Sequence, residues 1–553
     1  MVRTIKINKI SAAFALLLIW AGPVYCGDDA ACPAGIFPAP KSCITAGGQA
    51  AIDSNWELVY DRSADNRSAG KYLENVLGEK YGMAIGFSDD KDGKEIIVLN
   101  IDRLLDGEIG GEGYLLEVAP DKVTIYAAGE AGLFYGVQTL LQSIEKSDNG
   151  TLYVKCIKVM DHPSYGIRGV HINAANYDSL KSQIDIMAGL KMNFAIIESW
   201  DFYGLEDPDR KGKMAEIFEY ARNRFIEPVP NLVSFSYSGP VVSRYPQAIE
   251  GIWVKDEAFV FRGDRASPRI QTAHTLVNVI RDDTTDIVVK DAKGSVTYKE
   301  GTDYTVEGGT LQYPFELKGD PAAIKRLPSG RIRDGDTVLV SYDYAEQKTV
   351  SWAQWTCTYC PSSPHTYEVM SDAIARVIDA LEPRYICLGH DEVLGINRDS
   401  RCRKRNMTNE QLFAEDINEL YDIIKSRSTD TKVLIWDDML NPWHLGGNGD
   451  IQIQFGGVKG KTTGVIDDIP QDIILLSWWF EANDRYGKMA RSPDYFDSKD
   501  FDYIEAGWKD RGGIDGLAKA SQGHAHCLGI ITTTWDGWDK NIDGIRHTAE
   551  TGW

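Results

Sequence analysis

From about residue 165 onward, short apolar runs alternate with amphipathic stretches of helical spacing. The runs are GVHIN (169–173), FAIIES (194–199), PVPNLVSF (228–235), YICLG (385–389), KVLIW (432–436), IQIQF (451–455), IILLSWW (473–479) and GIITTTW (529–535). Between them lie SLKSQIDIMAGLK, KMAEIFEYARNRF, TYEVMSDAIARVIDAL and NEQLFAEDINELYDIIKSR, each with apolar residues recurring every three or four positions. A strand that is apolar throughout is buried on both faces, and regular strand–helix alternation implies parallel pairing through helical crossovers. Eight such strands are the number that closes a TIM (β/α)8 barrel, in which polar residues at the C-terminal strand ends gather on one face.

The rhythm breaks once. Residues 255–348 show period-two alternation punctuated by turn residues (TDIVVKDAKGSVTYKEGTDYTVEGG, then GDTVLVSYDY), which predicts an all-β domain inserted after the third barrel strand. Upstream, Ala69, Tyr72, Leu73, Val76, Leu77 and Tyr81 predict a helix stopped by Gly82. Strands are expected at 96–100, 114–119 and 122–127, followed by a second helix from Glu130 with Leu133, Phe134, Val137, Leu140 and Leu141 on one face. The expected organisation is a signal peptide over 1–26, a linker over 27–49 and a small α+β domain over 50–158. A barrel over 159–254 and 349–553 follows, with the β-insert at 255–348.

Composition narrows the partners. The 553 residues are 43% hydrophobic, enough for a large core, and the formal charge of −22 argues against nucleic acid or an anionic membrane, both of which reward a basic surface. Arg3, Lys6 and Lys9 precede an apolar run over Ile10–Trp20 too short to span a bilayer, which reads as an export signal for a periplasmic or extracellular protein. Cleavage near Cys26 is the expectation, with lipid anchoring at Cys26 the lesser reading. Nine cysteines in a chain of this length do not make a disulfide scaffold, although Cys32 and Cys43 are placed to close a short loop. Cys357 and Cys360 form a lone CxxC, read as packing or a local disulfide. No cofactor and no metal is implied, no phosphate-binding glycine motif or G-x-S-x-G elbow is present, and oligomeric state is undetermined.

The strand ends carry the chemistry. Asp391 and Glu392 follow YICLG, Asp201 follows the second run, Asp437 and Asp438 the fifth, Glu481 the seventh and Asp536 the last. Tryptophans 200, 436, 478, 479, 535 and 538 gather at the same ends. Carboxylates that protonate a leaving oxygen, together with indoles that stack on a pyranose face, are what a sugar pocket needs. A glycan or oligosaccharide is therefore the expected substrate. Two adjacent acids in a partly closed site repel, so one is expected to titrate high enough to hold a proton near neutrality.

GHDEV (389–393) resembles the Gly-x-Asp-Glu-Val strand of the family 20 glycoside hydrolases, the β-N-acetylhexosaminidases. Other segments resemble that family in order: GEGYLLEVAPDKVTIYAAGEAGLFYGVQTLLQ, DHPSYGIRGVHIN, MAGLKMNFAIIESWD and CPSSPHTYEVMSDAIARVIDALEPRYICLGHDEV. The resemblance covers roughly 50–250 and 350–540 and implies a retaining mechanism in which the substrate's own acetamido oxygen is the nucleophile. It implies that Glu392 is the general acid and base, that Asp391 orients the acetamido N–H and that Arg168 binds sugar hydroxyls. Trp436, Trp479 and Trp535 would wall the acetamido pocket, with Asp201, Tyr237, Asp438 and Asp536 as further substrate contacts.

The departures are equally specific. Phe480 stands where the family carries a tyrosine, Glu198 and Tyr237 stand where it carries histidines, and its last-strand Trp-x-Glu reads Trp535-Asp536-Gly537. Tyr237, Tyr486 or a tyrosine of the insert are the candidates to supply the missing hydroxyl. The leading expectation is an exported exo-acting β-N-acetylhexosaminidase. Two alternatives remain open at this point: a glycosidase for a non-acetamido or charged sugar that uses another acid, such as Asp437 or Glu481, as nucleophile, and a catalytically silent glycan-binding protein.

Overall fold

A computed structural model describes residues 32–33, 35–61, 69–148, 151–174, 176–315, 320–346, 357–393, 395–444, 463–480 and 489–553. The expected signal peptide, Cys26, Glu481, Tyr486 and the strand expected at 451–455 lie outside the described residues.

A closed parallel barrel forms from β1 (Ile167–Asn173), β2 (Phe194–Glu198), β3 (Glu227–Ser234), β4 (Tyr385–Gly389), β5 (Lys432–Trp436), β6 (Ile474–Trp478), β7 (Tyr503–Gly507) and β8 (Cys527–Thr533). β8 closes on β1 in parallel register from Gly529 opposite Ile167 to Thr533 opposite His171. Seven of these strands coincide with the expected runs. The segment at 474–478 is the sixth strand rather than the seventh, and the seventh is YIEAG, which the sequence reading missed. Its five residues are wholly buried, but a Glu and a terminal Gly mask the apolar run that marks the others.

The chain divides into two compact units. One comprises the chain up to Ala195 with Glu216–Pro228 and Leu528–Trp553; the other comprises Ile196–Ala215 and Val229–Cys527. In the first unit a mixed sheet runs in the order Ser42–Ile52, Leu152–Asp161, Tyr114–Ala119, Lys122–Ala127, Ile96–Ile101, Glu57–Val59 and Gly86–Phe87. Helices Ala69–Tyr81 and Glu130–Gln142 accompany it, and Leu133, Phe134, Val137, Leu140 and Leu141 are all buried. The sheet begins earlier than expected: Ser42–Ile52 pairs antiparallel with Leu152–Asp161, so the end of the expected linker, from Ser42 on, is a strand. Its sequence, SCITAGGQAAI, hides this because two glycines and small residues erase the alternation. Cys32 and Cys43 are joined by a disulfide. A buried polar knot completes this unit: Asp161 receives Lys191 Nζ at 3.0 Å, Tyr114 Oη at 2.9 Å and the indole N–H of Trp553 at 2.6 Å.

In the second unit, an antiparallel sheet stands between β3 and β4 in the order Val288–Asp291, Thr337–Tyr344, Ile252–Arg262, Arg265–Pro268, Ala323–Arg326 and Tyr304–Glu307. Phe259, Phe261, Val289, Ile324, Val338 and Val340 fill its own core. Its root is fastened by Asp343, which accepts the backbone N–H of Ser400 at 2.9 Å and its hydroxyl at 2.6 Å. Cys357 and Cys360 are both buried free thiols, so the CxxC is not a local disulfide.

Candidate active site

β4 ends in an unusual backbone. Gly389, His390 and Glu392 all have positive φ, at 75°, 68° and 48°. For His390 and Glu392 this costs about 1–2 kcal/mol each, so neighbouring contacts must hold the turn in place. His390 is fully buried: its N–H donates to Ser234 O at 3.0 Å, Nδ1 lies 3.1 Å from Ser234 Oγ and Nε2 lies 2.9 Å from Asp416 Oδ2. Asp416 is in turn the acceptor for the Tyr359 and Tyr367 hydroxyls, at 2.8 and 2.9 Å. His390 therefore faces away from the acids and anchors the turn that presents them.

Asp391 and Glu392 emerge beyond this anchor, and their partners come from neighbouring strand ends. The Tyr237 hydroxyl, beyond β3, makes a very short hydrogen bond to Glu392 Oε2. Tyr237 is itself left-handed, with φ 55°, so the loop after β3 is bent to deliver that hydroxyl. Asp438, beyond β5, accepts the backbone N–H of Glu392 at 2.9 Å through Oδ2 and the Trp478 indole N–H at 3.4 Å through Oδ1. Glu198 closes the end of β2 and accepts from Asn231 Nδ2 at 3.0 Å.

The electrostatics follow from this crowding. Burial pushes the Asp391 carboxyl well above the ordinary range, and the nearby charges of Asp438, Glu392 and Glu198 push it further. Burial also raises Asp438, to about 7, although the Glu392 N–H bond opposes the shift. Behind them, burial raises Asp437 despite its Asn441 hydrogen bond, and Glu505 despite the Ser477 hydroxyl beside it. Of the adjacent pair the raised member is Asp391, the residue expected to orient the acetamido group rather than the expected proton donor, and Asp438, outside the pair, is raised with it. Such a set can hold a proton near neutrality, deliver one from a fixed carboxyl, and stabilise positive charge developing among the acids.

Asp391, Glu392, Asp438 and Tyr237 converge. Trp436 is buried at the end of β5. Strand parity corrects the tryptophan assignment: Trp478 is the one bonded to Asp438, whereas Trp479 points the other way and packs with Met489 and Leu517. Phe480 packs on Trp478 at 4.6 Å between ring centroids. Asp201 pairs with Arg210 at 3.1 Å. In the other unit, Trp535 packs against His171 with ring centroids 4.2 Å apart, and Asp536 accepts from Asn541 at 2.7 Å.

Arg168 is a second correction. It is the second residue of β1, at the N-terminal end of the strand, and it is wholly buried. Its guanidinium donates to Glu112 at 2.8 Å, to the carbonyls of Tyr165, Gly166 and Lys191, and to the Tyr135 hydroxyl, and it lies over the Trp553 ring. The guanidinium is thus engaged by protein partners at the N-terminal end of β1, which gives Arg168 a structural role rather than the expected sugar contact in this arrangement. Ser234 and Asp416, which hold the turn, carry no signal in the sequence, and Trp478, one of the strand-end tryptophans, is singled out only once the β6 register is known.

The family description "Glycosyl hydrolase family 20, domain 2" matches residues 34–162, and "Glycosyl hydrolase family 20, catalytic domain" matches residues 322–509. A β-N-acetylhexosaminidase from Cellulomonas fimi is 31% identical over 170 residues, 30% of this chain and 32% of that one. A β-hexosaminidase from Porphyromonas gingivalis is 26% identical over 171 residues, 25% of this chain and 22% of that one. The chain thus aligns with a third or less of the length of these curated relatives. Among solved structures, an exo-β-N-acetylglucosaminidase from Vibrio harveyi in complex with N-acetylglucosamine superposes with a TM-score of 0.58 at 12% identity, over 95% of this chain and 75% of that one. A β-N-acetylhexosaminidase from Bacteroides fragilis gives 0.58 at 14% identity, over 94% and 90%. At these identities the superpositions speak for the fold.

Proposed function

The chain belongs to glycoside hydrolase family 20, and from that premise we propose that it is an exported, exo-acting hydrolase that releases terminal β-linked N-acetylhexosamine from glycans. The observation that carries the reading is the fixed acid: Glu392 is held by Tyr237 through its carboxyl and by Asp438 through its backbone, with Asp391 beside it. Pre-positioning of this kind is what general acid catalysis requires. Export is supported by the basic and then apolar start of the chain and by the Cys32–Cys43 disulfide, which persists in oxidising compartments.

In this mechanism the acetamido carbonyl oxygen attacks the anomeric carbon while the glycosidic bond breaks, and the leaving oxygen takes the proton of Glu392. The resulting oxazolinium ion is positive, and Asp391, in its ionised form, accepts the acetamido N–H and offsets that charge. Glu392, now a carboxylate, removes a proton from water as the water oxygen attacks the anomeric carbon and the bond from that carbon to the acetamido oxygen breaks, which restores the acetamide and the acid and retains configuration. Asp438 acts one step back, by fixing the backbone from which Glu392 projects.

A second reading, hydrolysis of a non-acetamido sugar, is favoured by one observation: the residue after Trp479 is Phe480, whose ring lies against Trp478 and offers no hydroxyl to an acetamido oxygen. Release of nitrophenol from para-nitrophenyl β-GlcNAc, β-GalNAc, β-glucoside and β-galactoside decides between them. Activity confined to the two acetamido sugars and lost in Glu392→Gln supports the first reading. Activity on the plain glycosides refutes substrate assistance, and inactivity on all four refutes the first reading and turns to a charged sugar or a glycan-binding role.

A further inference from the structure

Outside the acid site, four ligand-type side chains converge in the interior of the second unit. Glu250 stands two residues before the first strand of the insert, Cys360 precedes helix Pro364–Leu381, and Asp399 caps the short helix Ser400–Lys404, which carries Cys402 and follows the acid-bearing segment. One ligand atom from each lies within 4.8 Å of all the others, and all four residues are buried. The sulfurs of Cys360 and Cys402 are 3.5 Å apart, and Cys402 Sγ is 3.4 Å from Glu250 Oε2. A tetrahedral zinc site has edges of about 3.8 Å between sulfurs and about 3.5 Å between sulfur and oxygen, so the spacing is that of a ligand shell rather than of a bonded disulfide.

The surroundings aim lone pairs at the centre. Glu250 Oε1 is occupied by the backbone N–H groups of Arg398 and Asp399, at 2.5 and 3.1 Å, which turns Oε2 toward the thiols. The Ser362 N–H points at Cys360 Sγ from 3.4 Å, a contact that favours the thiolate. Arg401 Nη2 sits 2.6 Å from Asp399 Oδ2 and offsets that carboxylate's charge, while Oδ1 accepts the Cys402 N–H at 3.0 Å. Such second-layer bonds orient ligands in metal sites.

We propose that Cys360, Cys402, Glu250 and Asp399 bind a thiophilic divalent cation of the zinc type. Binding forms two metal–sulfur bonds and two metal–oxygen bonds and releases the two thiol protons to solvent. With Arg401 counted, the filled site retains one net negative charge, which the surrounding N–H donors stabilise. No open position remains for substrate, so the role is structural. The ion ties the segment after Glu392 to the root of the insert, which pairs Asp343 with Ser400 nearby. This inference does not depend on the glycosidase reading.

The test uses the full chain without an affinity tag, purified with and without added zinc and analysed for metal by elemental mass spectrometry. The expected result is about one equivalent of zinc per chain. Replacement by Co2+ is expected to give the visible d–d absorption and near-ultraviolet thiolate band of tetrahedral cobalt. Both signals should vanish in Cys360→Ser and Cys402→Ser and persist in Cys527→Ser, whose thiol lies elsewhere. Should the serine variants fail to fold, Glu250→Gln keeps both thiols and is expected to weaken Co2+ binding by at least about tenfold. Absence of a thiolate–cobalt band in the parent overturns the proposal, as does a Cys360–Cys402 disulfide found by peptide mapping of the unreduced protein.

Discussion

Asp438→Asn isolates the electrostatic part of the acid site. Asn keeps the shape of the side chain and an oxygen to accept the Glu392 N–H, but it removes the charge that stands second only to burial in raising Asp391. Like charges in the contact range of about 4–6 Å, at an effective dielectric of about 20, repel by about 3–4 kcal/mol, or about 2–3 pKa units. Burial pushes Asp438 up to about 7, so near neutrality only part of its charge acts on Asp391 and the effect falls to about one unit. The sign follows from the role of Asp391. It must be ionised to accept the acetamido N–H, so activity is lost as pH falls through its raised pKa. Removing Asp438 lowers that pKa, and the acid limb of kcat/KM moves to lower pH by about one unit. The assay is the pH dependence of kcat/KM on para-nitrophenyl β-GlcNAc, with the parent and Asp438→Asn run across the same buffers. An acid limb that stays in place, or moves upward, refutes the reasoning.

Arg168→Gln leaves Glu112 and several carbonyls without their buried cation and is expected to cost about 3–5 kcal/mol in urea unfolding. The kcat/KM of its folded fraction should remain close to the parent value, and a selective rise in KM without destabilisation would return Arg168 to the sugar site. Tyr237→Phe removes the hydrogen bond that positions the Glu392 carboxyl and should lower kcat/KM by about 3- to 10-fold with unchanged circular dichroism; parent-like kinetics would remove Tyr237 from the machinery. Glu505→Gln concerns stability. A buried carboxyl whose folded pKa is raised stabilises least at high pH, because stability present below the unfolded pKa is lost as pH rises toward the folded one. The variant should therefore melt higher than the parent at pH 8, with a flatter dependence of Tm on pH between about 5 and 8, and an unchanged slope would show that Glu505 is not the cause.

What sequence alone determined is whatever follows from local periodicity. The helix at Ala69–Tyr81 and the strands at Tyr114–Ala119 and Lys122–Ala127 match their expected bounds, because their apolar residues repeat at 3.6 or 2 positions with turn residues between them. The barrel and its β-insert were legible for the same reason, and the Asp391-Glu392 pair because it ends an apolar run. β7 was not legible, since closure of the barrel rather than composition makes YIEAG a strand. Nor was the choice between Trp478 and Trp479, because adjacent residues of a strand face opposite ways and only the register of the closed barrel says which turns inward. Arg168 looked like a ligand residue in its motif, yet its partners lie 56 positions away at Glu112 and at the chain's last residue, Trp553. Cys360 likewise looked toward Cys357 in sequence but meets Cys402 and Glu250 in space. Burial, charge coupling and side-chain direction depend on contacts between residues far apart in the chain, and those exist only after the barrel has closed.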